Sequence, residues 1–407
     1  MSTTRTMLSA TLLSVGLLAG PTLAQDSIRI GAVNPYSGPL ALYGDELARG
    51  YQLAITERNA KGGVLGKKIE MIRGDAGNPQ QGIAAVDQLV TRDKVDLLVG
   101  TYISAVSNAA SDAALRHQKL YWDTNAIAAE LTERKLPNFV RSGPHGAYFA
   151  EMSVRAVVDL IAPAIGKKTN EITVWLEHED SIYGKTIVDV QKQALDKAGV
   201  KITGIGAHNF RAADLTDVVL RARKANPDVW VQTGYVPDGN LMLKTAREQG
   251  YKPKVILFVG TGDTFETLDA LGAEYLEGLF VVSYPRPDIA ENFGPGAAAY
   301  LDTYRKAYNR EPVAPQGMAA FTGMHMLLDA VAAAGTTEMS KVRAAAAAMD
   351  RPLSSYPTGF GAKFDDKMQN TRAYPTVIQW QAGKQVTVYP AAARPAGVAI
   401  KNTPRVQ

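Results

Sequence analysis

The chain contains no cysteine among its 407 residues and only five histidines. The first absence excludes disulfides, thiol nucleophiles and cysteine-ligated zinc, and the second leaves little for a histidine-built structural site. An excess of charge is missing too. The formal net charge is +4, spread along the chain, which provides no footprint for nucleic acid or an anionic membrane. No low-complexity segment or short repeat occurs, and Ala344–Ala348 is a run of good helix formers. Without disulfides, stability must come from the size of the core.

What is present begins with residues 1–24, MSTTRTMLSATLLSVGLLAGPTLA. One cation, Arg5, precedes an apolar stretch from Met7 to Ala19, and Thr22-Leu23-Ala24 supplies small residues for cleavage. The stretch is too short for a membrane span and no stop-transfer pattern follows, so it reads as a secretory signal. A lipid anchor at the cleavage point would need a cysteine. The mature protein is therefore expected to be released unanchored into a periplasm. Removing the leader leaves roughly 380 residues, too many for one hydrophobic core, so two domains are the default.

Strand and helix patterns alternate along the mature chain. Ser27–Val33 reads as a buried strand, Leu42–Ala60 as a helix stopped by Lys61-Gly62-Gly63, and Lys68–Arg73 as a strand. Pro79–Arg92 (helix), Val95–Val99 (strand), Ser104–His117 (helix) and Leu120–Asp123 (strand) follow. After Pro144 the pattern restarts with a helix over His145–Ile165 and a strand over Ile172–Leu176. Then come helix Ile182–Ala198, strand Lys201–His208, helix Leu215–Ala225, strand Asp228–Gln232, helix Gly239–Gln249 and strand Lys254–Val259. Units of this kind imply parallel sheets covered on both faces. The last third differs, with helices over Phe293–Tyr308, Ala314–Ala334 and Met339–Met349. A hairpin of Val377–Trp380 and Gln385–Tyr389 turns at Ala382-Gly383. Ala314–Ala334 is nearly apolar, but Thr322, His325 and Asp329 interrupt it, which favours a buried helix over a span.

Several chemical motifs fail on inspection. Tyr183-Gly184-Lys185-Thr186 resembles the tail of a phosphate loop, but Glu179 stands where the first glycine belongs, and Glu177-His178-Glu179-Asp180 would repel phosphate. His178 has no second histidine to make a metal site and reads as part of a solvated loop. No G-x-S-x-G elbow or Ser/His/Asp set can be picked out. Strand-end loops such as Gly74–Asn78 and Thr261–Thr264 leave catalysis open.

At Ser37-Gly38-Pro39-Leu40-Ala41-Leu42-Tyr43-Gly44-Asp45 the chain resembles the leucine/branched-chain amino-acid binding proteins of ABC transporters, the type I periplasmic binding proteins. Asn59-Ala60-Lys61-Gly62-Gly63, Asp75 with Pro79, Ala110-Ser111-Asp112, Ala128–Thr132, Tyr183-Gly184 and Gly234-Tyr235 continue the likeness over nearly all of the mature chain. The resemblance implies an α/β fold of two doubly wound Rossmann-like lobes, joined by about three crossovers, that close on a small ligand. The expected division is 25–143 plus 284–370 for one lobe and 144–283 plus 371–407 for the other. Ligands of open α/β sheets sit beyond the carboxyl ends of strands, where helix N-termini offer unpaired N–H groups. Ser104 follows a strand, opens a helix as a good N-cap, and matches the family's carboxylate-binding serine. The alternative is a plain capping serine. Tyr43, Tyr183 and Tyr235 match the family's aromatic cleft positions. Tyr102 is either a further ring in the pocket or core.

The departures from the family pattern are informative. Thr261 stands where amino-acid binders carry the acidic residue that pairs with the ligand ammonium, and Ile127, near Asn125, replaces a family threonine. Asp263 could supply the missing charge if the alignment slips by two. The family disulfide is absent, with Gly77 and Ile103 at its positions. An ammonium buried without a counter-charge is costly. The expected ligand is therefore a small carboxylate lacking an α-ammonium, an aromatic or branched organic acid. The expected role is that of a monomeric periplasmic receptor, not an enzyme, using no cofactor and no metal and delivering its ligand to an inner-membrane ABC permease. The other readings are a true branched-chain amino-acid binder, a ligand-sensing module and a secreted α/β hydrolase.

Overall fold

The computed structural model describes residues 27–401, so the leader at 1–24 lies outside the described residues. Strands β1 (Ile28–Asn34), β2 (Ile69–Asp75), β3 (Leu97–Gly100), β4 (Tyr121–Asp123) and β5 (Phe139–Arg141) form an all-parallel sheet in the order β2-β1-β3-β4-β5. Helices α1 (Ala41–Ala60), α2 (Pro79–Thr91), α3 (Ser104–Arg116) and the short α4 (Glu130–Glu133) connect them. After α5 (Gly146–Arg155) and α6 (Ala162–Ala164) comes the second sheet. It contains β6 (Thr173–Glu179), β7 (Lys201–His208), β8 (Val229–Thr233), β9 (Val255–Val259) and β10 (Phe280–Ser283). Helices α7 (Ile182–Lys197), α8 (Thr216–Ala225), α9 (Val236–Glu248), α10 (Phe265–Leu271) and α11 (Ala273–Leu276) alternate with these strands. Near-continuous apolar strands such as Val255-Ile256-Leu257-Phe258-Val259 are buried at every position, as a sheet covered on both faces requires.

The chain then returns to the first lobe as α12 (Ala297–Tyr308), α13 (Gln316–Ala334), α14 (Met339–Ala347) and a small ladder of β11 (Asp350–Arg351) and β12 (Ala362–Lys363). Tyr304 Oη donates to Glu46 Oε2 of α1 at 2.8 Å, and α13 lies directly on α1. Helix α13 is long and apolar enough to cross a membrane by composition, but most of it is buried inside the protein, which makes it a core helix. The chain finally re-enters the second lobe as the hairpin β13 (Thr376–Gln381) and β14 (Lys384–Tyr389), antiparallel against β10. That sheet runs β14-β13-β10-β9-β8-β6-β7. Three passages thus join the lobes among the described residues, and two are tied side by side. Asn370 Nδ2 donates to the Ser142 carbonyl at 3.0 Å, and Gln369 Nε2 to that of Gly143 at 2.9 Å. Gly143 is required here, because a Cβ on it would stand 2.2 Å from the Thr124 carbonyl oxygen.

Several local expectations change. The helix expected over His145–Ile165 relaxes into a wider π-helical turn at Ala156–Ile161. Pro163 has no N–H to donate, and its ring crowds the carbonyl four residues before it. The helix expected from Phe293 starts at Ala297, since Gly294-Pro295-Gly296 cannot continue one backward. Glu177-His178-Glu179 are not a solvated loop but the buried end of β6, where Glu177 accepts from Trp175 and pairs with His208 and Glu179 accepts from Ser181 and Gly184. Ser104 is the first residue of α3, and Ile103 is its N-cap.

Gly50 of α1 allows the closest approach to α13, because a Cβ there would lie 2.0 Å from the Gly317 carbonyl oxygen. Gly50→Ala is expected to force the two helices apart and destabilise the protein by about 1–3 kcal/mol. Urea unfolding checks this, and unchanged stability would show that the helices tolerate more separation.

Candidate functional site

In both sheets the strand order reverses at one point, between β1 and β3 in the first and between β6 and β8 in the second. Those switch points open crevices at the carboxyl ends of strands, and here they face each other. Tyr102 and Ser104 follow β3, Tyr183 follows β6, and Tyr235 follows β8. Between them lies a narrow, partly open cavity of about 20 Å³, lined by Tyr102, Ser104, Asn125, Ile127, Tyr183 and Tyr235. Phe149, Gly260, Tyr284 and Gln316 complete the wall.

Six of the nine residues singled out from the sequence therefore meet at one cavity. The other three stand behind its wall. Tyr43 stacks on Tyr102, with ring centroids 4.0 Å apart, and donates from Oη to Asp263 Oδ1 at 2.8 Å. Asp263 Oδ2 accepts from Ser283 Oγ at 2.5 Å and from Gln316 Nε2 at 2.8 Å. This fully buried carboxylate of the second lobe is thus held by donors from both lobes. Thr261 turns its hydroxyl to the Tyr235 carbonyl at 2.7 Å. Of the residues missed, Gly260 and Tyr284 follow strand ends, Phe149 lies inside α5, and Gln316 opens α13.

The first-lobe wall is set by a buried scaffold. Arg141, at the end of β5, donates from Nη1 to the carbonyls of Ala126 (3.2 Å) and Ala128 (2.7 Å) and from Nε to Gln369 Oε1 (2.5 Å). Burial lowers its pKa to about 10, against the raising influence of the Asp123 charge. Asp123 accepts from Ser107 Oγ and from the N–H groups of Asn125 (3.0 Å) and Ala126 (2.9 Å). Burial pushes its pKa up to about 7 although those hydrogen bonds oppose the rise. Together the two groups clamp the loop that carries Asn125 and Ile127. The N–H of Ala128 in that loop donates to Ser104 Oγ at 3.2 Å, which leaves the serine proton free to be donated into the cavity. Tyr284 Oη donates to the Asn125 carbonyl at 2.6 Å.

The wall is aromatic and uncharged. Tyr183 and Tyr235 lie 5.2 Å apart between centroids, Tyr102 and Tyr235 5.7 Å, and Phe149 and Tyr284 5.4 Å. Burial drives the phenols of Tyr102, Tyr183, Tyr235 and Tyr284 well above their ordinary range, with neighbouring carboxylates adding to the rise, so these rings stay neutral. No Asp, Glu, Lys, Arg or His belongs to the described lining. Positive potential comes from helix starts, among them that of α3, whose first N–H groups have no intrahelical acceptor. Among the described residues, no group of three His, Asp or Glu could hold a metal ion.

A charge cluster underlies the second-lobe wall. His208 donates to Glu177 Oε1 at 3.2 Å and to Asp238 Oδ2 at 2.8 Å, and Asp238 Oδ1 accepts from the Tyr235 N–H at 2.9 Å. Burial opposes the imidazolium, but the two carboxylates outweigh it and raise its pKa from 6.5 to about 9. A pKa raised on folding gives stability that is complete below the unfolded value and lost as pH rises through the folded one. The protein is therefore expected to lose up to about 3 kcal/mol between pH 6.5 and just above 9. His208→Gln should flatten that slope in denaturant titrations at several pH values. An unchanged slope would show that His208 does not carry it.

A family model described as "Periplasmic binding protein" matches residues 27–385. The "Leu/Ile/Val-binding protein homolog 7" of Brucella suis is 35% identical over 378 residues, covering 93% of this chain and 95% of that protein. Two solved structures share the fold. The branched-chain amino-acid transporter substrate-binding protein LivJ of Streptococcus pneumoniae, in complex with isoleucine, aligns with a TM-score of 0.76 at 22% identity, covering 90% of this chain and all of that one. A solute-binding protein of an ABC transporter from R. palustris, in complex with 4-hydroxybenzoate, aligns with a TM-score of 0.76 at 18% identity, covering 89% and 96%.

Proposed function

Because the chain belongs to the periplasmic binding protein family, of the Leu/Ile/Val-binding type, we propose that it is the solute receptor of an ABC importer for a small aromatic carboxylate. The observation that carries this is the aromatic wall, which offers donors at Ser104 and the start of α3 but no anion to meet an ammonium. A carboxylate accepts hydrogen bonds from fixed N–H and O–H groups, and a neutral ring stacks against tyrosines. Asp263, behind the wall, is engaged by Tyr43, Ser283 and Gln316. In this reading Ser104, Tyr102, Asn125, Ile127, Tyr183 and Tyr235 touch the ligand, while Tyr43, Thr261 and Asp263 hold the wall. The lobes comprise 25–143 plus 284–370 and 144–283 plus 371–407. The mature protein works in the periplasm as a monomer after loss of residues 1–24. No bond is made or broken. Ligand contacts on both lobes favour the closed form, and that form is what the inner-membrane permease recognises.

The second reading is a branched-chain amino-acid receptor, which the name of the Brucella relative favours. Thermal denaturation with benzoate, hydroxybenzoates, leucine, isoleucine and valine separates the two. A ligand at about 100 times its Kd adds roughly 2.7 kcal/mol, which raises the melting temperature by several degrees. Stabilisation by an aromatic acid and not by leucine is expected, and the reverse pattern refutes the proposal. Ser104→Ala is expected to weaken binding of the stabilising acid at least tenfold, through loss of a charge-assisted hydrogen bond worth about 1.5–3 kcal/mol, in a protein that still folds although the Ala128 N–H loses its acceptor. Calorimetric titration reads this, and equal affinities would remove Ser104 from the site.

A further inference from the structure

Gln316 is the first residue of α13 and lines the interlobe cavity with only 1% of its surface exposed. Its amide is used on one side. Nε2 donates to Asp263 Oδ2 at 2.8 Å, whereas Oε1 has no protein partner. The orientation is not arbitrary. Asp263 is anchored by Tyr43 and Ser283, and a carboxylate needs donors, so the amide nitrogen faces it and the oxygen is directed elsewhere. Among the described residues that line the cavity, Gln316 Oε1 is the one buried side-chain atom without a hydrogen-bond partner. Its polar neighbours are already engaged. Tyr183 Oη donates to the Val259 carbonyl at 3.0 Å, Tyr284 Oη to that of Asn125, and Asn125 Oδ1 accepts from Thr124 Oγ1 at 2.6 Å.

A buried acceptor without a donor is costly, so an amide held in this orientation is satisfied when water or the guest supplies the donor. We propose that Gln316 Oε1 accepts a hydrogen bond from a hydroxyl group on the guest, which makes the substrate class a hydroxylated aromatic carboxylate. The inference rests on the aromatic-acid reading above and deepens it. The acid group meets the donors at Ser104 and α3, and the hydroxyl meets a separate acceptor on α13. An α-ammonium could reach the same oxygen, but it would bring a full charge to a single neutral dipole.

Isothermal titration of the mature protein with benzoate, 3-hydroxybenzoate, 4-hydroxybenzoate, their methyl ethers and leucine tests this. One hydroxylated acid is expected to bind at least tenfold more tightly than benzoate, and its methyl ether, which cannot donate, should lose that advantage. In Gln316→Met the ratio of hydroxylated to plain acid should fall to about one. If Gln316→Met does not fold, the ether comparison in the unaltered protein decides alone. Equal binding of hydroxylated and plain acids, or a ratio preserved in Gln316→Met, overturns the Gln316 assignment and leaves the aromatic-acid reading standing. Tight binding of leucine with no response to any aromatic acid overturns both.

Discussion

A charged guest can be buried between two lobes only if fixed donors or an opposite charge meet it there, because water is no longer available to solvate it. In this protein the described cavity wall carries no Asp, Glu, Lys, Arg or His. What it offers is a serine hydroxyl, the open N–H groups at the start of α3 and a ring of neutral tyrosines. Everything else in the site follows from that constraint. Ionised side chains are present nearby, but they are placed one layer back, where they position groups instead of facing the guest.

Three buried charge centres do that positioning. Arg141 and Asp123 clamp the loop bearing Asn125 and Ile127, and through the Ala128 N–H they set the serine oxygen. His208 with Glu177 and Asp238 anchors the turn that presents Tyr235. Asp263 joins the lobes, since Tyr43 and Gln316 come from one and Ser283 from the other. A network whose members come from both lobes is complete only when the lobes meet, so closure and the orientation of the Gln316 amide are coupled. A guest that supplies the missing donor to Gln316 and the acceptor for Ser104 favours the same closed arrangement.

Much of this was legible in the residues, for identifiable reasons. Alternating apolar strands and amphipathic helices imply two parallel sheets, and Ser104 is visible because it stands just past a strand at a helix start. Tyr183 and Tyr235 became candidates through resemblance, and both prove to follow strands at the switch point. Phe139-Val140-Arg141 is too short to read as a strand and ends in a charge that only the folded loop explains. Phe280–Ser283 is likewise short, so nothing local marks Tyr284, which follows it. Gln316 opens a helix so apolar that it reads as core, and nothing local marks its side chain as lining a cavity. Thr261 and Asp263 lie in the expected loop, but Thr261 bonds a carbonyl and Asp263 bonds side chains across the lobes. Those partners lie far away in sequence, beyond the reach of spacing.

The central claim concerns the direction in which an anion enters a neutral cleft, and a crystal structure grown with an aromatic carboxylate tests it most directly. The guest should lie between the lobes with its carboxylate within hydrogen-bond distance of Ser104 Oγ and the first N–H groups of α3, and with its ring against Tyr183 and Tyr235. A guest bound outside this cavity, or inside it with the carboxylate turned away from α3, would contradict the account.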